Sequence, residues 1–372
     1  MLDVLIISTD TENVSVKSVL SASCHVFGKP DRPRIFLHGA RSMAHSKRCK
    51  PQWLLGLEFS GFYFLYTLIG SLSLKAGYRL GRILFSILFL LDARHRKRTI
   101  QHILHSGIAG NRAEAEKMAR SSYEQFSRLL IEVVKARQLY VPERITVTGD
   151  PEGCRFFLSR DGEPAPQMIL ITAHYGNWEI AGSAIAEKAG RAMTSMMRGF
   201  DNPYIGRLIL QNRTGAMHTA VDKRLGLRPM LRAIAQKENL AILIDQHAGA
   251  GEGVECSFFG HPAKVHKTPA LLHLKTGIPI VPEVTRRVPG DEFRFEVVCG
   301  APITYVPTGD KQRDIQELTQ KCISALESLI RREPEQWLWT PRHWIDINRG
   351  QSTASPDGVT VRTPHPAMLK AR

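Results

Sequence analysis

The sequence predicts an α/β fold with a mostly parallel sheet flanked by helices, on three observations. From residue 166 onward, short apolar runs alternate with helical segments, the pattern of strand–helix–strand units. The chain has 372 residues, long enough for one large domain or two small ones with a sizeable core. Its composition, 43% hydrophobic and 8% aromatic, is that of an ordinary globular protein and excludes a disordered, collagen-like or polytopic membrane chain.

Taken in order, Met168–Thr172 reads as a buried strand, Trp178–Lys188 as a helix and Ala192–Met197 as a strand. Pro203–Asn212 and Leu227–Lys237 read as helices, and Leu240–Ile244 as a strand. A helix follows at about Thr268–Lys275, then strands at Pro279–Thr285 and Phe293–Cys299, and a long helix at Gln312–Arg332. In such folds the ligand site lies beyond the carboxyl ends of the strands. Upstream, residues 112–138 place Met118, Tyr123, Phe126, Leu129, Leu130 and Val133 on one helical stripe, a core-facing pattern.

The organisation expected is a poorly ordered extension over residues 1–42, a hydrophobic and basic membrane-associating region over 43–98, the main domain over 99–350, and a flexible tail over 351–372. Met43, followed by basic residues and then an apolar stretch, is a candidate alternative start. Phe59–Leu74 carries no charge but is shorter than the roughly 20 residues that span a bilayer. Lys75, Arg79 and Arg82 share one helical face, Ile83–Leu91 is again apolar, and Arg94, Arg96, Lys97 and Arg98 follow. This is the pattern of a basic amphipathic helix lying in a membrane interface, with Trp53, Tyr63, Tyr66 and Tyr78 as headgroup-level anchors. The competing readings are a buried helical hairpin and a single spanning helix from Leu54 to Leu74.

Fifty Lys and Arg against 35 Asp and Glu leave a formal charge of +15, which predicts an acidic partner. Nucleic acid is one such partner, but the charge gathers around an apolar segment and no RNP, KH or zinc-finger pattern occurs. The six cysteines form no CxxC and no cluster, which argues against a disulfide framework or zinc knuckle and for a reducing cytoplasmic setting. A zinc hydrolase built on His261, His266 and His273 is a remote reading, because their spacing fits no common ligand motif.

Chemistry concentrates after the first strand, at His174-Tyr175-Gly176-Asn177-Trp178-Glu179. A histidine with an acid five positions on is expected about once by chance, given 14 histidines and 35 acids, and His247 with Glu252 is a second copy. On a regular helix five residues turn a side chain by about 140°, so the pair can meet only if His174 stands outside the helix. Gly176 permits that turn and Asn177 can cap the helix. Glu179 in the first helical turn is then expected to fold back on the imidazole and fix its tautomer, making His174 a general base for an alcohol nucleophile. Arg198 and Arg213, near the end of the next strand and of the helix after it, suit a phosphate. Asp245 and Gln246, just past the strand NLAILI, and the turn SFFG at Ser257–Gly260 suit a site wall.

From about Leu72 to Trp344 the sequence resembles the bacterial lipid A biosynthesis acyltransferases, with AHYGNWEIAG, NPY…R, ILIDQ, FFGHPA, IPIVP and EPEQWLW in family order. The resemblance implies a glycerolipid-acyltransferase-like fold. It also implies transfer of a fatty acyl chain from acyl carrier protein, or from acyl-CoA, to a hydroxyl of a lipid A precursor or similar phosphorylated glycolipid. The reaction is placed at the cytoplasmic face of a bacterial inner membrane, whose anionic lipids are a further expected partner. His174 and Glu179 match the family's catalytic pair, while Arg198, Asn202, Arg213, Asp245 and Gln246 match positions assigned to binding or site support. No metal, cofactor or covalent acyl-enzyme is expected, and no GxSxG elbow occurs. His247 and the glycine-rich AGAGEGVE stretch after DQ depart from the family pattern, so a phosphatidylinositol mannoside, another glycolipid or a lysophospholipid is the alternative acceptor.

Overall fold

The computed structural model describes residues 50–197, 200–212, 217–222, 225–290 and 292–347. The regions expected to be an extension and a tail, 1–42 and 351–372, lie outside the described residues.

Four helices open the fold: α1 (Gln52–Ser71), α2 (Leu74–Leu91), α3 (Ala93–His105) and α4 (Arg112–Leu139). Ser73, Asp92 and Asn111 N-cap α2, α3 and α4 by accepting side-chain hydrogen bonds from Ala76, His95 and Glu114 amides, so each of these helices starts at a capping residue. The α/β part then runs β1 (Ile145–Gly149), α5 (Pro151–Cys154), β2 (Ile169–Thr172), α6 (Trp178–Ala189), β3 (Met193–Met197), α7 (Pro203–Asn212) and β4 (His218–Asp222). It continues through α8 (Arg228–Ala235), β5 (Asn239–Leu243), β6 (Gly253–Phe258), β7 (His261–His266), α9 (Thr268–Thr276), β8 (Ile280–Arg287), β9 (Phe295–Cys299) and α10 (Lys311–Ile330).

Seven strands form one sheet in the order β1-β9-β8-β2-β5-β3-β4, and every pairing is parallel except β8 with β9. The α/β expectation therefore holds. Ile169 and Ile171 of β2, with Leu240 and Ile242 of β5, face a core shared with α9 and α10. Met168 and Leu170, with Ala241, face a second core against Ile180, Ala184 and Ile185 of α6. The chain thus leaves β2 over one face of the sheet and, after the β6–β7 hairpin, crosses from β5 to β8 over the other. Adjacent strands with diverging connections open a crevice at their carboxyl ends.

The β6–β7 hairpin turns at Phe259 and Gly260, both at positive φ (54° and 80°), the backbone of a two-residue primed turn. The left-handed conformation costs a non-glycine residue about 1–2 kcal/mol. Contacts of the Phe259 ring with Trp337 (centroids 5.6 Å) and of its amide with Glu327 (2.6 Å) offset that cost.

Candidate active site

Strand pairing brings His174 and Asp245 together. In the parallel β2–β5 ladder Thr172 stands opposite Leu243, and the Ile244 amide extends the ladder by donating to the Thr172 carbonyl. Two residues further on, His174 and Asp245 are level and on the same face, because strand side chains alternate with period two. His174 Nδ1 lies 2.8 Å from Asp245 Oδ1, and the His174 amide donates to Oδ2 at 3.0 Å. The Trp337 indole N–H donates to Oδ2 as well, at 2.9 Å.

The Asp245 side chain is fully buried while 20% of the His174 side chain is exposed, so the carboxylate is sealed inside and the imidazole faces outward. Burial alone would raise the Asp245 pKa, but the His174 ring and the hydrogen bonds outweigh it and hold the carboxyl down at about 2. An ionised carboxylate only accepts, so Nδ1 carries the proton and Nε2 is the basic nitrogen. His343, itself buried and kept neutral by that burial, lies with Nδ1 2.8 Å from the Asp245 carbonyl and fixes the backbone behind the carboxylate.

The turn after His174 is held by a segment from the far end of the chain. The Gly176 amide donates to the Gln336 carbonyl, the Asn177 amide to Thr285, and the Leu338 amide to His174. Gly176 has φ +54°, and a Cβ there would collide with the Thr285 carbonyl oxygen, so only glycine fits. Asn177 caps α6 as its sequence position predicts, its Oδ1 accepting from the Ile180 amide at 3.1 Å. Its side-chain amide donates to Glu132 at 3.0 Å. Glu132 is completely buried, with its carboxylate held by Arg287 (Nη2 at 2.7 Å) and by the Tyr78 hydroxyl at 2.7 Å. Helices α2 and α4, strand β8 and the turn after His174 therefore share one buried polar network.

Residues 61–345 match the bacterial lipid A biosynthesis acyltransferase family. The chain belongs to that family. It is also similar to phosphatidylinositol mannoside acyltransferases. The protein of that name from Mycolicibacterium smegmatis is 23% identical over 48% of this chain and 56% of its own length. The Mycobacterium tuberculosis protein is 21% identical over 48% of this chain and 54% of its own length. The chain thus spans about half the length of these curated relatives.

For this acyltransferase-family chain the contacts of two residues differ from those expected from the sequence. The carboxylate on His174 Nδ1 is Asp245, not Glu179, because parallel strand pairing sets Asp245 beside the ring. Glu179 lies in the first turn of α6, where Oε1 accepts the indole N–H of Trp178 at 3.2 Å, and the Trp178 ring packs edge-on against His174 with centroids 5.1 Å apart. Asn202, expected at the substrate, is 5% exposed and occupied with structure. Its Oδ1 accepts from the Tyr204 amide and its amide group donates to the Leu55 carbonyl of α1, so an Asn before Pro203 serves as a helix start and a tie to α1. Gln246 directly follows Asp245 and is half-buried. Arg198 and Arg213 lie outside the described residues.

Trp337, His343, Glu132 and Arg287 went unassigned in the sequence. EPEQWLW marks Trp337 only as a family segment, and Glu132 reads as an ordinary polar helix residue.

Proposed function

We propose that the protein transfers a fatty acyl chain from a thioester donor, acyl carrier protein or coenzyme A, to a hydroxyl of a phosphorylated glycolipid at a membrane surface. The observation that carries this reading is the His174–Asp245 pair: a partly exposed imidazole with a basic Nε2, backed by a buried, ionised carboxylate. Nε2 takes the proton from the acceptor hydroxyl as its oxygen attacks the thioester carbonyl. Asp245 stabilises the imidazolium that forms. The C–S bond then breaks and the leaving thiolate takes the proton from Nε2. The amides of Tyr175, Gly176 and Asn177 are occupied by backbone carbonyls, so negative charge on the carbonyl oxygen is assigned to the positive end of α6 beyond them.

The +15 charge suits both a phosphorylated acceptor and an anionic membrane. Arg198 and Arg213 are proposed as phosphate ligands on the resemblance alone. Helix α1, 20 residues long, is apolar enough to cross a membrane by length and composition, and none of its residues is buried. Near both ends it is tied to the domain, through Asn202 to the Leu55 carbonyl and through Lys135 to the Gly70 carbonyl at 3.0 Å. A helix fastened at points about 22 Å apart along its axis lies against the body. This supports attachment at the interface, with Trp53, Leu57 and Phe64 of α1 and Ile83, Ile87 and Leu91 of α2 facing outward. The cytoplasmic face of a bacterial inner membrane is the proposed location.

Two acceptors have specific support. The family match favours a lipid A precursor, and the curated relatives favour a phosphatidylinositol mannoside. Purified protein assayed with acyl carrier protein and coenzyme A donors, against these two acceptors and a lysophospholipid, identifies the pair by its product mass. His174→Ala is expected to abolish transfer while leaving the protein folded and vesicle-bound. Full activity in that variant refutes the reading.

A further inference from the structure

Away from the catalytic pair, three side chains from distant parts of the chain converge beside Trp344. They are His105, the last residue of α3, His261, the first residue of β7, and Asp346 in the segment that follows Trp344. Their ligating atoms all lie within 4.8 Å of one another. Asp346 bridges the two rings, with Oδ1 3.0 Å from His105 Nε2 and Oδ2 3.4 Å from His261 Nδ1. The rings lie nearly face to face, with centroids 3.6 Å apart at 31°.

The two distances from Asp346 to the rings are close to those between neighbouring ligands of one cation. Two ligands of a tetrahedral zinc ion with bonds of about 2.0–2.1 Å are roughly 3.3 Å apart. A single divalent cation shared by both nitrogens and the carboxylate satisfies all three groups. The surroundings hold the donors in place: His105 packs edge-on against Trp344 at 5.2 Å, and the Ile345 amide donates to the Pro262 carbonyl at 2.9 Å. The side chains are 20–35% exposed, leaving an approach for the ion and a position for water.

We propose that His105, His261 and Asp346 bind one divalent transition cation of the zinc class, which fastens the C-terminal segment to α3 and β7. Two imidazoles and one carboxylate select zinc, cobalt or nickel over magnesium and calcium, which take all-oxygen sites. The clasp bears on catalysis only indirectly, because the same segment carries His343 and Trp337, the two side chains that hold Asp245. The proposal does not depend on the acyl-transfer reading.

The test uses the full chain without a polyhistidine tag, equilibrated with zinc chloride, desalted and analysed for zinc by mass spectrometry. Roughly one zinc per chain is expected in the wild type and in His174→Ala, and a loss of roughly tenfold or more in Asp346→Asn and in His261→Gln. Zinc is also expected to raise the melting temperature of the wild type and not that of either variant. A wild type that retains no zinc overturns the site whatever the variants do. So does retention in both variants at the wild-type level.

Discussion

At the scale of single residues, the sheet holds a second buried carboxyl besides Asp245. Glu283 of β8 is fully buried, and burial pushes its pKa up to about 7 although the Thr285 hydroxyl donates to it at 3.0 Å. A carboxyl raised from 4.5 in this way favours folding while it is protonated, so the native state loses stability as pH rises from about 4.5 to about 7. The shift corresponds to about 3 kcal/mol. Glu283→Gln is expected to remove that slope and to be more stable than the wild type at pH 8, read by melting temperature across pH. Parallel curves for the two proteins would show that Glu283 is ionised in the fold. Asp245 behaves oppositely, since its depressed pKa stabilises the fold above pH 3.8 and that support is lost as pH falls toward 2. Two carboxyls in one sheet differ because Asp245 faces a histidine and an indole, and Glu283 only the hydroxyls of Thr172 and Thr285.

At the scale of elements, the turn after His174 depends on helices far from it in the sequence. Asn177 leans on Glu132 of α4, and Glu132 is shared with Arg287 of β8 and Tyr78 of α2. Glu132→Ala leaves the Arg287 guanidinium buried without its carboxylate, a loss of about 3–5 kcal/mol. The double replacement Glu132→Leu with Arg287→Met is expected to recover most of the lost melting temperature. If it recovers none, the network is not the cause. The sequence makes the strands and helices around His174 legible, down to the Asn177 cap, because apolar runs and capping residues act locally. It conceals Asp245 as the partner of His174, since a ladder between residues 71 apart leaves no local trace. The SFFG turn is legible but the β6 and β7 strands beside it are not, since Phe259 at positive φ lacks the glycine or asparagine that marks a two-residue hairpin turn. Glu132 escaped notice because a buried acid within an amphipathic helix looks like a solvated one.

At the scale of the whole molecule, charge and apolar surface lie together. The outward faces of α1 and α2 expose Trp53, Leu57, Phe64, Ile83, Ile87 and Leu91, and the basic run Arg94–Arg98 follows at once on the end of α2. Flotation with anionic vesicles is expected to carry the protein upward and to weaken only partly in high salt, because apolar insertion is not screened. Replacing Trp53, Leu57 and Phe64 with serine is expected to abolish flotation. Unchanged flotation of that variant, or stronger retention by duplex DNA than by vesicles, would count against membrane attachment. The central claim is that Asp245 holds and charges the histidine that activates the acceptor. Its most direct test is the acyl-transfer rate of vesicle-bound Asp245→Asn beside Glu179→Gln. By analogy with triad aspartates, Asp245→Asn is predicted to lose roughly 10³–10⁴-fold in kcat, and Glu179→Gln much less. Near-normal turnover by Asp245→Asn, with the loss falling on Glu179→Gln, would contradict it.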